Sequence, residues 1–123
     1  MPHIRLDLSS LRTEQDLHEA LKQALGFPDF YGANFAALVD CLSGLRYPDE
    51  GMIGVALGPD EVLTLHVLNL SAAAKSVIDL LLCAVEDVNT RELQRGRSPS
   101  MGLMLARSSA ERAGGVDPAG FTR

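Results

Sequence analysis

Apolar and polar residues alternate at the start of the chain, where Ile4, Leu6 and Leu8 are separated by Arg5 and Asp7; this period of two predicts a strand with one buried face. The pattern then changes. In SSLRTEQDLHEALKQAL, Leu17, Ala20, Leu21, Ala24 and Leu25 recur at spacings of three and four, with Ser and Thr available as caps, acids early and Gly26 at the end, which predicts an amphipathic helix. After the loop FPDFYGA, the residues Phe35, Leu38, Val39 and Leu42 predict a second helix, capped by Asn34 and stopped at Gly44, with those four on its buried side. In the loop, Pro28 limits the backbone and Gly32 is the residue expected to supply a positive φ.

Two apolar runs flank Gly58-Pro59-Asp60, a turn composition that predicts a β-hairpin, with residues 62–70 as its firmer strand. SAAAKSVIDLLLCAVEDVNTRELQRG predicts a third helix, capped by Ser71 and breaking near Asn89, with Val77, Leu80, Leu81 and Ala84 on its apolar face. MGLMLA, bounded by the turn-rich GRSPS, predicts a short buried strand, and the intervening helix is long enough to bring it parallel to its predecessor. The order predicts an α/β domain: a small, mostly parallel sheet of three to four strands packed with three to four helices. The boundaries are residues 1–107 for this domain and 108–123 for a mobile C-terminal tail with little to bury.

With 123 residues, 46% of them hydrophobic, the chain supports one core. No basic segment leads into an apolar one at the start, so the expected location is the cytoplasm, with no membrane span. Cys41 and Cys83 lie among apolar residues at helical spacing and are expected as buried, reduced thiols. Sixteen acids against eleven basic residues, a net charge of −5, argue against direct nucleic-acid binding; the acidity suits a basic partner and is equally accounted for by solubility alone.

The chain has no CxxC, HExxH, GxSxG or glycine-rich phosphate loop, and His3, His18 and His66 fall on different elements. No metal, cofactor or enzymatic activity is therefore expected. His66 is expected as an ordinary sheet-face side chain and His18 as a solvated one. The second helix is different. Its outward side carries Ala36, Asp40 and Ser43, with Ala33 just before the cap, so one carboxylate stands on a stripe bare enough for another molecule to approach the backbone.

The segment DLHEALKQALGFPDFYGANFAALVDCLSGL resembles the barstar family of ribonuclease inhibitors. Pro28, Tyr31, Gly32, Asn34, Ala37, Leu38, Asp40, Cys41, Leu42 and Gly44 fall in register without a gap, and residues 16–18 extend the match backward. The resemblance implies a barstar-like fold over residues 1 to about 107. It also implies a partner: a small, basic, extracellular-type ribonuclease whose active site is occluded by the loop and helix of residues 27–45, as in an immunity or toxin–antitoxin pair. By the same resemblance Asp40 mimics phosphate, and Phe30, Asn34, Ala36, Val39, Ser43, Gly44 and Leu45 complete the contact set. Tyr31 and Leu38 are assigned to the core. Where the best-known inhibitor of the family carries a second aspartate this chain has Ala36, Val39 and Leu45 stand in place of tryptophans, and Phe30 lacks a hydroxyl, so the face is less polar. The alternative is a barstar-like module that binds a protein other than a ribonuclease.

Overall fold

The computed structural model describes residues 2–108. Three strands, β1 (His3–Asp7), β2 (Leu63–Leu68) and β3 (Met101–Ala106), form one sheet in the order β1-β2-β3, and both pairings are parallel. Three helices, α1 (Glu14–Leu25), α2 (Phe35–Leu42) and α3 (Lys75–Gln94), pack on one face. The period-two pattern explains why. In β2, Leu63, Leu65 and Val67 are buried under the helices, while Thr64, His66 and Leu68 alternate onto a half-exposed outer face. Register carries this across the sheet, setting Ile4 opposite Leu65 and Leu65 opposite Leu103. On the outer face His66 meets His3 edge-on, with ring centroids 5.0 Å apart.

α1 begins at a capping box: the Asp16 backbone N–H donates to Thr13 Oγ1 at 3.1 Å and the Thr13 N–H donates to Asp16 Oδ2 at 3.1 Å. It ends at Gly26, whose φ of 69° is left-handed. A Cβ there would stand 3.1 Å from the Cα of Gly54, so two chain segments touch backbone to backbone at this point.

That approach explains a correction. The expected hairpin is absent, because the apolar run before Gly58 does not pair with β2. The Gly54 N–H donates to the Leu25 carbonyl at 2.7 Å and the Leu57 N–H to the Leu45 carbonyl at 2.7 Å, so the run closes over the ends of α1 and α2. Gly51 and Gly54 interrupt any strand here, and Leu57 is buried against the helices.

α3 also departs from expectation at both ends. Ser71 lies in a short 3-10 turn (Leu70–Ala72) set up by Asn69 at φ 61°, and α3 starts after Ala74 with no side-chain cap. The helix runs unbroken through Asn89, whose side chain faces the sheet. Its Oδ1 accepts from the Ser100 and Met101 N–H groups at 3.1 and 3.0 Å, and its Nδ2 donates to the Met101 carbonyl at 2.9 Å. A residue that reads as a helix breaker is the clasp that begins β3. β3 itself is buried only at Met101; Met104 and Leu105 are each 58% exposed at the sheet edge. Cys41 is buried and Cys83 exposed, both as free thiols, which corrects the expectation for Cys83. Residues 109–123, nearly all of the expected tail, lie outside the described residues; the Ser108 N–H donates to Asn69 Oδ1 at 2.9 Å.

Candidate protein-binding face

The loop between α1 and α2 is held from beneath by aromatic packing. Phe27 is buried and its ring lies 4.8 Å from that of Tyr31, the Tyr31 N–H donates to the Pro28 carbonyl at 3.0 Å, and Tyr31 OH meets His18 Nδ1 on α1. Phe30, on the same turn, points away and is 75% exposed. The left-handed residue of the loop is Ala33, at φ 51°, and not Gly32 as expected. A Cβ on Gly32 would meet Asn34 Nδ2 at 3.3 Å, so this glycine is selected by the space beside the cap.

A left-handed alanine costs roughly 1–2 kcal/mol of backbone strain, while glycine adds roughly 0.4–1 kcal/mol of unfolded-chain freedom. Ala33→Gly is therefore expected to stabilise the fold by about 0.5 kcal/mol, read as a shifted urea midpoint at constant slope. A lowered midpoint would show that the Ala33 side chain contributes packing beyond its strain.

His18 is buried, which corrects its assignment as solvated. Burial holds its imidazole below the ordinary value of 6.5, with Glu14 partly opposing, and burial likewise raises the Tyr31 phenol. The sign of the pH dependence follows. Below about pH 6.5 the unfolded chain takes up a proton at residue 18 that the folded chain does not, so stability falls with pH through this window and levels once the folded imidazole also protonates. Asp7, held down chiefly by the Asn69 side-chain amide, and Asp16, held down by the Arg12 and Thr13 N–H groups, act in a lower window beneath 3.8. Melting temperature should fall more steeply between about pH 7 and pH 5 in the parent than in His18→Gln; equal slopes would remove His18 as the cause.

α2 is short and strongly one-sided. Asn34 Oδ1 accepts from the Ala37 N–H at 2.8 Å to start it, and Leu38, Val39, Cys41 and Leu42 face the core. Outward stand Asn34, Phe35, Ala36 and Asp40; Phe35, expected on the inner side, is 41% exposed. The fold thus sorts the expected contact residues into two groups. Phe30, Asn34, Ala36 and Asp40 are all exposed. Val39 and Leu45 are each 1% exposed and Ser43 and Gly44 are also buried, because α2 ends at Ser43 and the chain turns directly under the run of residues 52–57. The positions occupied by tryptophan in the best-known inhibitor are, in this chain, part of the core.

One member of the face lies far away in sequence. Arg91, on α3, places Nη1 3.2 Å from Asp40 Oδ1 and 3.4 Å from Ser43 Oγ. The same flank carries Arg95 and Arg97, stacked over Tyr47 with guanidinium carbons 4.4 and 5.8 Å from the ring centre. No spacing within α2 could indicate these residues, since they arrive through the packing of α2 on α3. Among the described residues, no group of three or more His, Cys, Asp or Glu side chains is arranged to hold a metal, and no helix is long and apolar enough to cross a membrane.

The family model for barstar (barnase inhibitor) matches residues 1–100. A protein of Bacillus subtilis (strain 168) named "Putative ribonuclease inhibitor YrdF" is 46% identical over 44 residues, which cover 36% of this chain and 48% of that protein. The chain therefore spans about half the length of this curated relative.

Proposed function

The chain belongs to the barstar family, and from that premise we propose that it inhibits a small, basic, extracellular-type ribonuclease by inserting the loop and helix of residues 27–45 into the active-site cleft. The observation that carries this reading is Asp40: a carboxylate 59% exposed at its side chain, on a helix face otherwise bare at Ala36, beside a loop packed from below. A cleft that binds phosphodiester gathers Arg, Lys and His donors, and those donors accept a carboxylate in the same place. The net charge of −5 favours encounter with a basic partner, and a loop that keeps its shape spends little free energy on ordering. Inhibition is occlusion, with no catalytic step and no cofactor in this chain. Its place is the cytoplasm of the cell that makes the ribonuclease, as an immunity partner.

Titration of barnase, the enzyme in the family's description, with this chain tests the reading. Loss of RNA cleavage with an endpoint at one inhibitor per enzyme is the expected result. Full activity at a large excess of the chain would overturn it for barnase, and the assay would then move to small ribonucleases from the source organism. A complex that forms without loss of activity would favour the alternative, a binding module for a different protein, which the burial of Val39 and Leu45 makes the second choice.

A further inference from the structure

In the free chain, the carboxylate that the inhibitor reading uses already has a partner. Arg91 Nη1 contacts Asp40 Oδ1 at 3.2 Å, a single-point contact between side chains that are 42% and 59% exposed. Asp40 Oδ2 accepts no hydrogen bond among the described residues, and Ser43 Oγ at 3.4 Å steadies the same guanidinium nitrogen. Arg95 and Arg97 follow at the C-terminal end of α3, where both lie over the Tyr47 ring and Arg95 also meets Glu92 at 3.5 Å, so Arg91 is the cation in contact with Asp40 among the described residues.

We propose that Arg91 is a partner-selecting residue: it is the internal counter-ion of Asp40 in the free chain and is displaced when the converging cations of a phosphate-binding cleft take the carboxylate. This rests on the inhibitor reading above. A lone, solvated lysine or arginine on a partner's surface offers Asp40 nothing that Arg91 does not already supply. Two or more donors that converge on both carboxylate oxygens offer a bidentate, charge-assisted site, which one guanidinium nitrogen at 3.2 Å does not. Displacement is easy because the contact is exposed, but the released guanidinium then faces like charges and must turn to solvent. Arg91 thus lowers affinity for every cationic partner and lowers it least for a cleft of converging donors.

The test is a cycle of parent, Arg91→Gln, Asp40→Asn and the double variant, with association and dissociation of barnase followed by stopped flow at two salt concentrations. Arg91→Gln should bind about 2- to 5-fold tighter than the parent, the range expected for removal of one exposed ion pair. The gain should shrink at the higher salt and vanish in the Asp40→Asn background. A gain kept in full without the Asp40 charge would make Arg91 a simple like charge, and weaker or unchanged binding by Arg91→Gln would make it a positioning or neutral residue; either result overturns the proposal alone. Asp40→Asn retains Arg91, so if that variant binds as tightly as the parent, the inhibitor reading itself has failed and this inference falls with it.

Discussion

Asp40→Ala is expected to weaken binding of the target ribonuclease by about 2–5 kcal/mol, mostly through faster dissociation, and to leave the melting temperature nearly unchanged. The two halves of this expectation come from different environments of one side chain. In the free protein Asp40 is exposed and meets only Arg91, across a contact of 3.2 Å between half-exposed groups, a kind worth about 0.2–1 kcal/mol. In the proposed complex it enters a dry, cationic site. Removing it there strands the partner's cations without a counter-charge, which is the larger cost. Calorimetric dissociation constants together with melting curves check both halves. A variant that melts like the parent and binds the ribonuclease equally tightly would reduce this helix to a solvated face.

Local signals carried the sequence reading furthest. HIRLDL, the Ser and Thr caps and early acids before α1, Gly26 at its end and Asn34 at the start of α2 all act within a few residues, so their chemistry is visible without knowing what packs where. Expectations that depended on distant partners fared worse. The run before Gly58 has strand-like apolarity, but whether it pairs with β2 or closes over α1 and α2 is decided by the Gly26–Gly54 approach. Asn89 looked like a break because an amide inside a helix competes locally for the backbone, yet its partners are the N–H groups at the start of β3.

The site divides in the same way. The order of residues from Pro28 to Gly44 made the loop and helix legible, and the outward placement of Phe30, Ala36 and Asp40 followed from it. Helical phase alone put Ser43 on the outer stripe and Phe35 inside, whereas α2 stops at Ser43 and its first turn stands clear of the core. Arg91 was not legible at all, because its approach to Asp40 is a property of the α2–α3 interface.

Glu92→Leu is expected to destabilise the fold by about 3–5 kcal/mol while leaving the contact face chemically intact. Arg46 follows directly on the buried end of the α2 segment, and its side chain and that of Glu92 are 1% and 3% exposed. Its guanidinium donates to Glu92 Oε1 at 3.1 Å, to the Ser98 carbonyl at 2.6 Å, to the Pro99 carbonyl at 3.0 Å and to the Glu61 carbonyl at 2.8 Å. One buried cation therefore ties the chain after α2 to α3, to the start of β2 and to the approach of β3. Glu92 in turn accepts from Tyr47 OH at 3.2 Å and lies 3.5 Å from Arg95. Without the carboxylate, Arg46 keeps its carbonyls but stays buried with no counter-charge, a penalty that carbonyl dipoles only partly offset. Adding Arg46→Met should recover part of the loss, since the uncompensated charge goes too, although the Glu61, Ser98 and Pro99 carbonyls then lose their donor. Urea unfolding of the two single variants and the double variant measures this, and a Glu92→Leu midpoint equal to that of the parent would remove the pair from any account of stability. Glu92→Leu should lose stability yet still bind the ribonuclease at temperatures where it remains folded, whereas Asp40→Ala should melt normally and fail to bind; this crossed pattern separates the ion pair that holds the scaffold from the carboxylate that the scaffold presents.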